Sequence, residues 1–359
     1  MKQTFFAPGR TELAGNHTDH QLGRVLAASV DAGITALVTP RSDRMVVVQS
    51  AGFAAFRVDL DSLAPRAEEV GTSQALVRGV AYALAERGGE LCGFEAELST
   101  TIPPGGGLSS SAAFEILFGR IWNTLCNNGR FDPPTLARIA QRAENLHFGK
   151  PSGLMDQLAC ATDGAVYVDF LTDEVRAVPA CFESLGYTLS LTNTGGSHAG
   201  LTDAYAEIPA DMRAAAKRFG ADVLANADEA AFRAAYTPSR ENDRALHFFD
   251  ENARVPLMAA ALEQRDIDTY LRLMNASGRS SERLLRNIRA EQGGDDLLER
   301  GLSLAAELLD GKGAWRVHGG GFAGCVQALC PTEAFDAYRA AMEAQFGPGS
   351  CMPLHMDHA

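Results

Sequence analysis

The 359-residue chain lacks any run of 18 or more apolar residues, so no transmembrane helix is expected. Its start, MKQTFFAPGR, has neither a long apolar stretch nor a small-residue cleavage pattern, which predicts a cytoplasmic protein without a secretory signal. The seven cysteines (Cys92, Cys126, Cys160, Cys181, Cys325, Cys330, Cys351) form no CxxC pair. Neither a zinc knuckle nor a disulfide framework is indicated, and buried free thiols are expected. A basic excess is also absent. The formal net charge is −13 with no Lys/Arg cluster, which speaks against a nucleic-acid partner. No internal repeat or low-complexity tract interrupts the chain. What remains is an ordinary globular composition, 46% hydrophobic and 21% charged, long enough for two domains.

Residues 23–40, GRVLAASVDAGITALVTP, are apolar and β-branched and fit one or two buried strands. RMVVVQS, FRVDL, FEAELSTTIPP, GAVYVDF and YTLSLTNT continue the strand pattern. TSQALVRGVAYALAERGG predicts a helix, because Leu76, Val77, Val80 and Leu84 recur at helical spacing before a Gly pair. SSAAFEILFGRIWNTLC predicts a second helix. DPPTLARIAQRAENLHFG predicts a third, with Asp132 as cap and Pro133 in the first turn. From Pro209 to about Leu309 the pattern is mostly helical. AWRVHGGGFAGCVQALCP then reads as strand, glycine turn and strand, with a helix from about Thr332. Strands and helices mix without strict alternation. That predicts an α+β protein rather than a doubly wound sheet, with a boundary near 170–185.

TTIPPGGGLSSSAAFEILFG carries the strongest chemical signal. Gly105, Gly106 and Gly107 allow positive φ and close approach of backbone to a ligand. Ser109, Ser110 and Ser111 then open a helix, whose free N–H groups and positive dipole end suit a phosphate. A serine hydroxyl there can also reach Mg²⁺. The plain alternative is a tight turn with a serine cap, which needs fewer glycines and serines. The loop is neither a Walker A sequence nor a GxGxxG fingerprint.

Four further features offer acid, base or clamp chemistry. Asp156, in GLMDQ, is either a turn residue or a carboxylate that orients a hydroxyl substrate or takes its proton. Glu144 lies at the edge of the stripe Leu136, Ile139, Ala140, Ala143, as solvated surface or as a Mg²⁺ ligand. Arg10 follows a Pro-Gly turn, as surface charge or as a phosphate clamp. His17 and His20 flank Asp19 in AGNHTDHQ. Zinc would need more ligands, and the nearest other histidine is His147. The same residue mix grips sugars, whose hydroxyls both donate and accept. GGGFAG, Gly319 to Gly324, is either a plain hairpin turn or a ligand-facing loop.

Six segments, in order along nearly the whole chain, resemble the GHMP kinase superfamily and most closely its galactokinase branch. APGRTELAGNHTDH is similar to the signature PGRVNLIGEHTDY, and PPGGGLSSSAA to the superfamily phosphate loop. AENLHFGKPSGLMDQ is similar to AEHxFxGxxxGxMDQ, and TNTGGSHAGLTDAY to TNSxxRHxLxxxxY. RALHFFDENARV…LMNAS resembles RxxHVVxENxRV…LMxxS, and RVHGGGFAGCVQAL resembles RMTGGGFGGCxxAL. The resemblance implies a two-domain α+β GHMP kinase fold. Its N-terminal domain, 1–175, would be ribosomal-protein-S5-like and its C-terminal domain, 176–359, ferredoxin-like. It implies an ATP- and Mg²⁺-dependent sugar 1-kinase with galactose as default substrate. Asp156 would be the catalytic carboxylate beside the anomeric hydroxyl, and Arg10 would polarise that hydroxyl and steady the transferred phosphoryl. Ser111 and Glu144 would hold Mg²⁺. Gly105, Gly106, Gly107, Leu108, Ser109, Ser110 and Ser111 would cradle the ATP phosphates. Asn16, His17, Asp19, Gly153 and Tyr205 would line the sugar pocket. The implied partners are a small-molecule sugar and ATP, with no nucleic acid or membrane, and the chain is expected to be a monomer.

Some positions depart from the pattern. The signature's Asn is Glu12 here, its acidic residue is Asn16 and its Tyr is His20. In the family the residue at the place of Asn16 contacts the sugar C6 hydroxyl. An uncharged amide there, with HTDHQ resembling the HIDHQ of plant galacturonokinases, raises a uronic acid or another C6-variant sugar as an alternative. A non-catalytic sugar-binding regulator is a third reading, opposed by the intact Asp156, Arg10 and GGGLSSSAA. Ser73 stands where the family often has a Trp that stacks on adenine, and His318 and Ala323 depart in the third motif.

Overall fold

The computed structural model describes residues 2–150, 152–196, 201–290 and 294–356. Seven strands form the larger sheet: β1 (Gln3–Ala14), β2 (Arg24–Pro40), β3 (Met45–Ser50), β4 (Phe56–Asp59), β5 (Phe94–Thr100), β6 (Ala165–Asp169) and β7 (Glu174–Val178). Their order is β4-β3-β5-β2-β6-β7, with β1 also on β2. Among the described residues, only β3 and β5 run parallel. The apolar stretch 23–40 forms one long strand, and that length lets β2 pair with β1, β5 and β6 at once.

Helices α1 (Ser73–Glu86), α2 (Ser110–Cys126), α3 (Pro133–Ala143) and α4 (Met155–Ala161) accompany this sheet. Asp132 caps α3 as its sequence predicts, accepting from the Thr135 N–H at 2.9 Å. The core beneath α2 is aromatic: Trp122 packs edge-on to Phe94, 5.4 Å between centroids, and donates its indole N–H to Cys92 O.

The remaining helices are α5 (Thr202–Arg218), α6 (Glu229–Ala234), α7 (Arg240–Glu263), α8 (Ile267–Ser280), α9 (Leu297–Leu309) and α10 (Phe335–Phe346). Among them, α8, α9 and α10 pack against an antiparallel four-stranded sheet ordered β11-β8-β10-β9: β8 (Tyr187–Asn193), β9 (Ala314–His318), β10 (Cys325–Pro331) and β11 (Cys351–Leu354). The α+β class is the one the mixed pattern predicts. Among the described residues, no helix is long and apolar enough to cross a membrane.

Three strands escaped the sequence reading: β1, β7 and β11. β1 contains Pro8-Gly9 and then Arg10, Thr11 and Glu12, which break any alternation. It tolerates the proline because its register on β2 shifts between Pro8 and Arg10. The same irregularity carries it directly under the glycine-rich loop. A Cβ on Gly9 would sit 2.8 Å from Leu108 O, and the Arg10 N–H donates to that oxygen at 3.1 Å.

Candidate active site

The glycine-rich loop links β5 to α2. Gly105 and Gly107 take φ +67° and +70°, and Ser109 is left-handed at φ +52°. In that conformation Ser109 does not cap α2 with its side chain. Its hydroxyl instead donates to Asp156 Oδ2 at 2.5 Å. Among the described residues, the N–H groups of Gly107, Leu108 and Ser109 have no protein acceptor. They are left with the first turn of α2 at the edge of a cavity of about 360 Å³, lined also by Arg10, Lys150, Asp156 and His318. Such an array of open donors at a helix N-terminus fits a phosphate.

Arg10 and Asp156 meet at the cavity mouth. Arg10 donates from Nε to Asp156 Oδ1 and from Nη1 to Gly107 O, both at 2.7 Å. The Asp156 side chain is 31% exposed, enough to meet a ligand, whereas Arg10 is 8% exposed. Burial alone would push Asp156 up, but the Arg10 charge and the hydrogen bonds from Arg10 and Ser109 outweigh it. The carboxyl is held below its ordinary range and is ionised at neutral pH.

Glu144 opens a π-turn, Glu144–Phe148, that follows α3. Its stripe-edge position becomes nearly full burial, and its oxygens are shared. Oε1 accepts from Ser111 Oγ at 3.4 Å and from Lys150 Nζ at 3.0 Å, and Oε2 accepts from Gln157 Nε2 at 2.7 Å. Gln157 also donates to Glu115 Oε2 at 3.2 Å. Glu115 is fully buried, and burial, with Glu144 next, pushes its carboxyl up to about 9, so it is neutral. Ser111 and Glu144 are hard oxygen donors of the kind Mg²⁺ takes. Among the described residues no three His, Cys, Asp or Glu side chains converge. A Mg²⁺ ion here would therefore complete its shell with phosphate oxygens and water.

The AGNHTDHQ turn follows β1. Asp19 presses against Gly153, where a Cβ would lie 2.0 Å from Asp19 Oδ2, so any side chain there would push the Asp19 carboxylate aside. Burial and then the Asp156 charge push Asp19 up to about 6. The Nε2 of His17 reaches Gly320 O at 3.1 Å and must donate, leaving Nδ1 to accept from His20 Nε2 at 3.4 Å. Burial holds His17 at about 4 and His20 at about 3, so both rings are neutral. Asn16 is buried, with Nδ2 donating to Gly319 O (2.7 Å) and Glu12 Oε1 (3.2 Å) and Oδ1 accepting from Asn287 and Ser281. Tyr205 donates to Gly321 O at 2.6 Å. Asn16, His17 and Tyr205 are thus joined through the Gly319–Gly321 turn, and that turn itself lines the cavity. The segment Ser197–Gly200, part of the fourth motif, lies outside the described residues.

Arg10, Asp156 and the loop 105–111 therefore share one cavity. Ser111 and Glu144 meet behind it, and Asp19 and Gly153 meet beside it. Lys150, Gln157 and His318 were not singled out for the site by their local sequence; Gln157 and His318 acquire partners from other elements, and Lys150 from Glu144, six positions back across the π-turn. Ser73 is exposed at the start of α1.

Known proteins resemble this chain along nearly its whole length. The family model described as GHMP kinases N terminal domain matches residues 75–164. The galactokinase galactose-binding signature matches residues 2–40. A galactokinase of Streptomyces coelicolor is 33% identical over 352 residues, covering 95% of this chain and 87% of that protein. The chain belongs to the galactokinase family. A galactokinase of Glaesserella parasuis is 31% identical over 353 residues, covering 94% of this chain and 88% of its own. The crystal structure of Lactococcus lactis galactokinase complexed with galactose aligns with a TM-score of 0.86 at 27% identity, covering 99% of this chain and 93% of that one. Methanococcus jannaschii mevalonate kinase, at 15% identity and a TM-score of 0.71, shares the GHMP kinase fold. Within this galactokinase-family chain, Arg10 to His20 fall inside the galactose-binding match. The glycine-rich loop, Glu144 and Asp156 fall inside the N-terminal domain match.

Proposed function

We propose that this chain transfers the γ-phosphoryl group of ATP to the anomeric hydroxyl of galactose. The observation that carries the reading is Asp156, ionised, part-exposed and gripped by Arg10 and Ser109 beneath the open N–H groups of the glycine-rich loop. In this reading the loop and Arg10 hold the phosphates, and Asp19 and His17 align the sugar. Asp156 accepts a hydrogen bond from the reacting hydroxyl. Its low basicity suits a loose transition state, in which the proton leaves late and positioning supplies most of the rate. Mg²⁺, held through Ser111 and Glu144, would neutralise phosphate charge. Two domains, 1–175 and 176–359, belong to the same proposal. β7 ends at Val178 in one sheet and β8 begins at Tyr187 in the other, which supports a boundary slightly beyond 175.

A C6-variant sugar such as galacturonate is a second reading, favoured by the uncharged Asn16. Against it, both amide hydrogens of Asn16 are already spent on Gly319 and Glu12. An ATP-consumption screen over galactose, N-acetylgalactosamine, galacturonate, glucuronate and arabinose tests both readings. Galactose should be the best acceptor, and a galacturonate rate above it would transfer the assignment to the second reading. Asp156→Asn should lower kcat by about 10³-fold while sugar still binds. A wild type that binds sugar yet consumes no ATP would make the protein a regulator instead.

A further inference from the structure

His318 closes β9, where the similar family segment carries Thr. Its ring is 4% exposed. Nε2 lies 3.2 Å from the Glu12 N–H and 3.1 Å from Thr11 Oγ1. A backbone N–H can only donate, so Nε2 is an acceptor and the ring proton resides on Nδ1. The Thr11 hydroxyl already accepts from Gln327 Nε2 at 2.8 Å, which leaves its own hydrogen for His318 Nε2. One edge of the imidazole is thereby clamped to β1. The other edge faces the glycine-rich loop: a Cβ on Gly107 would lie 3.2 Å from Nδ1. Among the described residues Nδ1 has no hydrogen-bond partner, and His318 lines the cavity with Arg10, Lys150 and Asp156. A ring N–H that opens on the cavity with no protein acceptor is free to donate to a ligand oxygen.

We propose that His318 is a further catalytic residue, donating Nδ1–H to an oxygen of the transferred phosphoryl group. This rests on the phosphoryl-transfer reading above. The sugar oxygen forms the new P–O bond and the bond to the ADP oxygen breaks. The hydroxyl proton leaves towards Asp156, and His318 keeps its own proton throughout. Burial and then the Arg10 and Arg316 charges hold the ring well below its ordinary range, so it stays a neutral donor at all working pH values. Thr in its place is too short to reach the same point from β9.

Two variants separate this role from a structural one. The amide nitrogen of Asn falls near the place of Nδ1, so His318→Asn keeps the donor to the cavity and loses the clamp to β1. His318→Gln places its carbonyl near Nε2, which keeps the clamp and loses the donor. With galactose and MgATP, His318→Gln should lower kcat about 30-fold or more with sugar KM and Tm little changed, and His318→Asn should stay within about fivefold of wild type. Binding of the imido analogue of ATP should weaken about tenfold in His318→Gln, with ADP binding unchanged. A His318→Gln enzyme as fast as wild type, or Gln and Asn variants that fall together with their Tm, would overturn the proposal. The nucleotide comparison needs no sugar. If the wild type phosphorylated none of the sugars, the kinase reading would fail while an unchanged analogue-to-ADP ratio would separately reject His318.

Discussion

In the turn from Gly15 to Gly23, the polar side chains are largely satisfied within the protein. Asn16 holds Gly319 O, His17 holds Gly320 O, Thr18 holds Gly15 O and Arg24 O, and Gln21 accepts from the Leu224 N–H. In the loop from Gly105 to Ser109, three successive N–H groups have no acceptor among the described residues. Both segments turn through glycines at positive φ, but one is a finished wall and the other an open cradle. The difference suits the ligands proposed for them, a phosphate for the loop and a sugar for the turn. A phosphate is anionic and draws binding from aligned, unspent donors. A sugar is neutral, and each of its hydroxyls is a weak handle. Selectivity then depends on walls with fixed tautomers and fixed positions.

The sharpest way to break this comparison is to fill the open side. Gly107→Ala puts a methyl at φ +70° within 3.2 Å of His318 Nδ1. It should raise the KM for ATP by about 100-fold with the sugar KM within about threefold, read by steady-state kinetics. Gly153→Ala attacks the finished side, because its Cβ would overlap Asp19 Oδ2. It should raise the sugar KM by about 30-fold and leave ATP binding intact, read by calorimetry with each ligand. A rise in both constants for either variant would mean that the two segments move as one body.

Smaller effects sharpen the contrast. Asn16→Asp removes the donor to Gly319 O and sets a second carboxylate beside Glu12, so stability should fall by about 2–3 kcal/mol in denaturant unfolding. Adding Glu12→Gln should recover half or more of that loss, because the two positions share one network.

Glu115, under the phosphate side, gives the smallest effect. The folded protein holds its proton up to about 9, while the ordinary carboxyl titrates at 4.5. The folded state therefore binds the proton more tightly. The stability this contributes is complete below 4.5 and is lost as pH rises towards 9. Glu115→Gln is neutral at every pH and removes the decline. Its Tm should equal that of wild type near pH 4.5 and exceed it by about 2–4 °C at pH 8.5. Equal Tm values at both pH values would show that Glu115 is not a buried neutral acid.

Much of the molecule was legible from the chain. The helices α1, α2 and α3, the long apolar strand β2 and the glycine turn between β9 and β10 follow from periodicity and punctuation. β1 was not, because Pro8-Gly9 and the run Arg10, Thr11, Glu12 hide a strand buried continuously from Ala7 to Ala14. Its polar residues are buried because they serve the site and contact β9 and β10. Ser109 looked like part of a capping run, yet its left-handed backbone sends the hydroxyl to Asp156.

The sequence by itself determined most of the element types, the glycine-rich loop ahead of a helix and the family, because those reside in contiguous residues and ordered motifs. Only the tertiary structure decided that Asn16 is spent on the Gly319 turn, that Lys150 and Gln157 share Glu144, and that Nδ1 of His318 is left facing the cavity. Glu144 is 6 positions from Lys150 and 13 from Gln157, but the other outcomes depend on partners far apart in the chain, such as Thr11 and His318, separated by 307 positions. No local pattern records a contact that exists only once two sheets have been brought together.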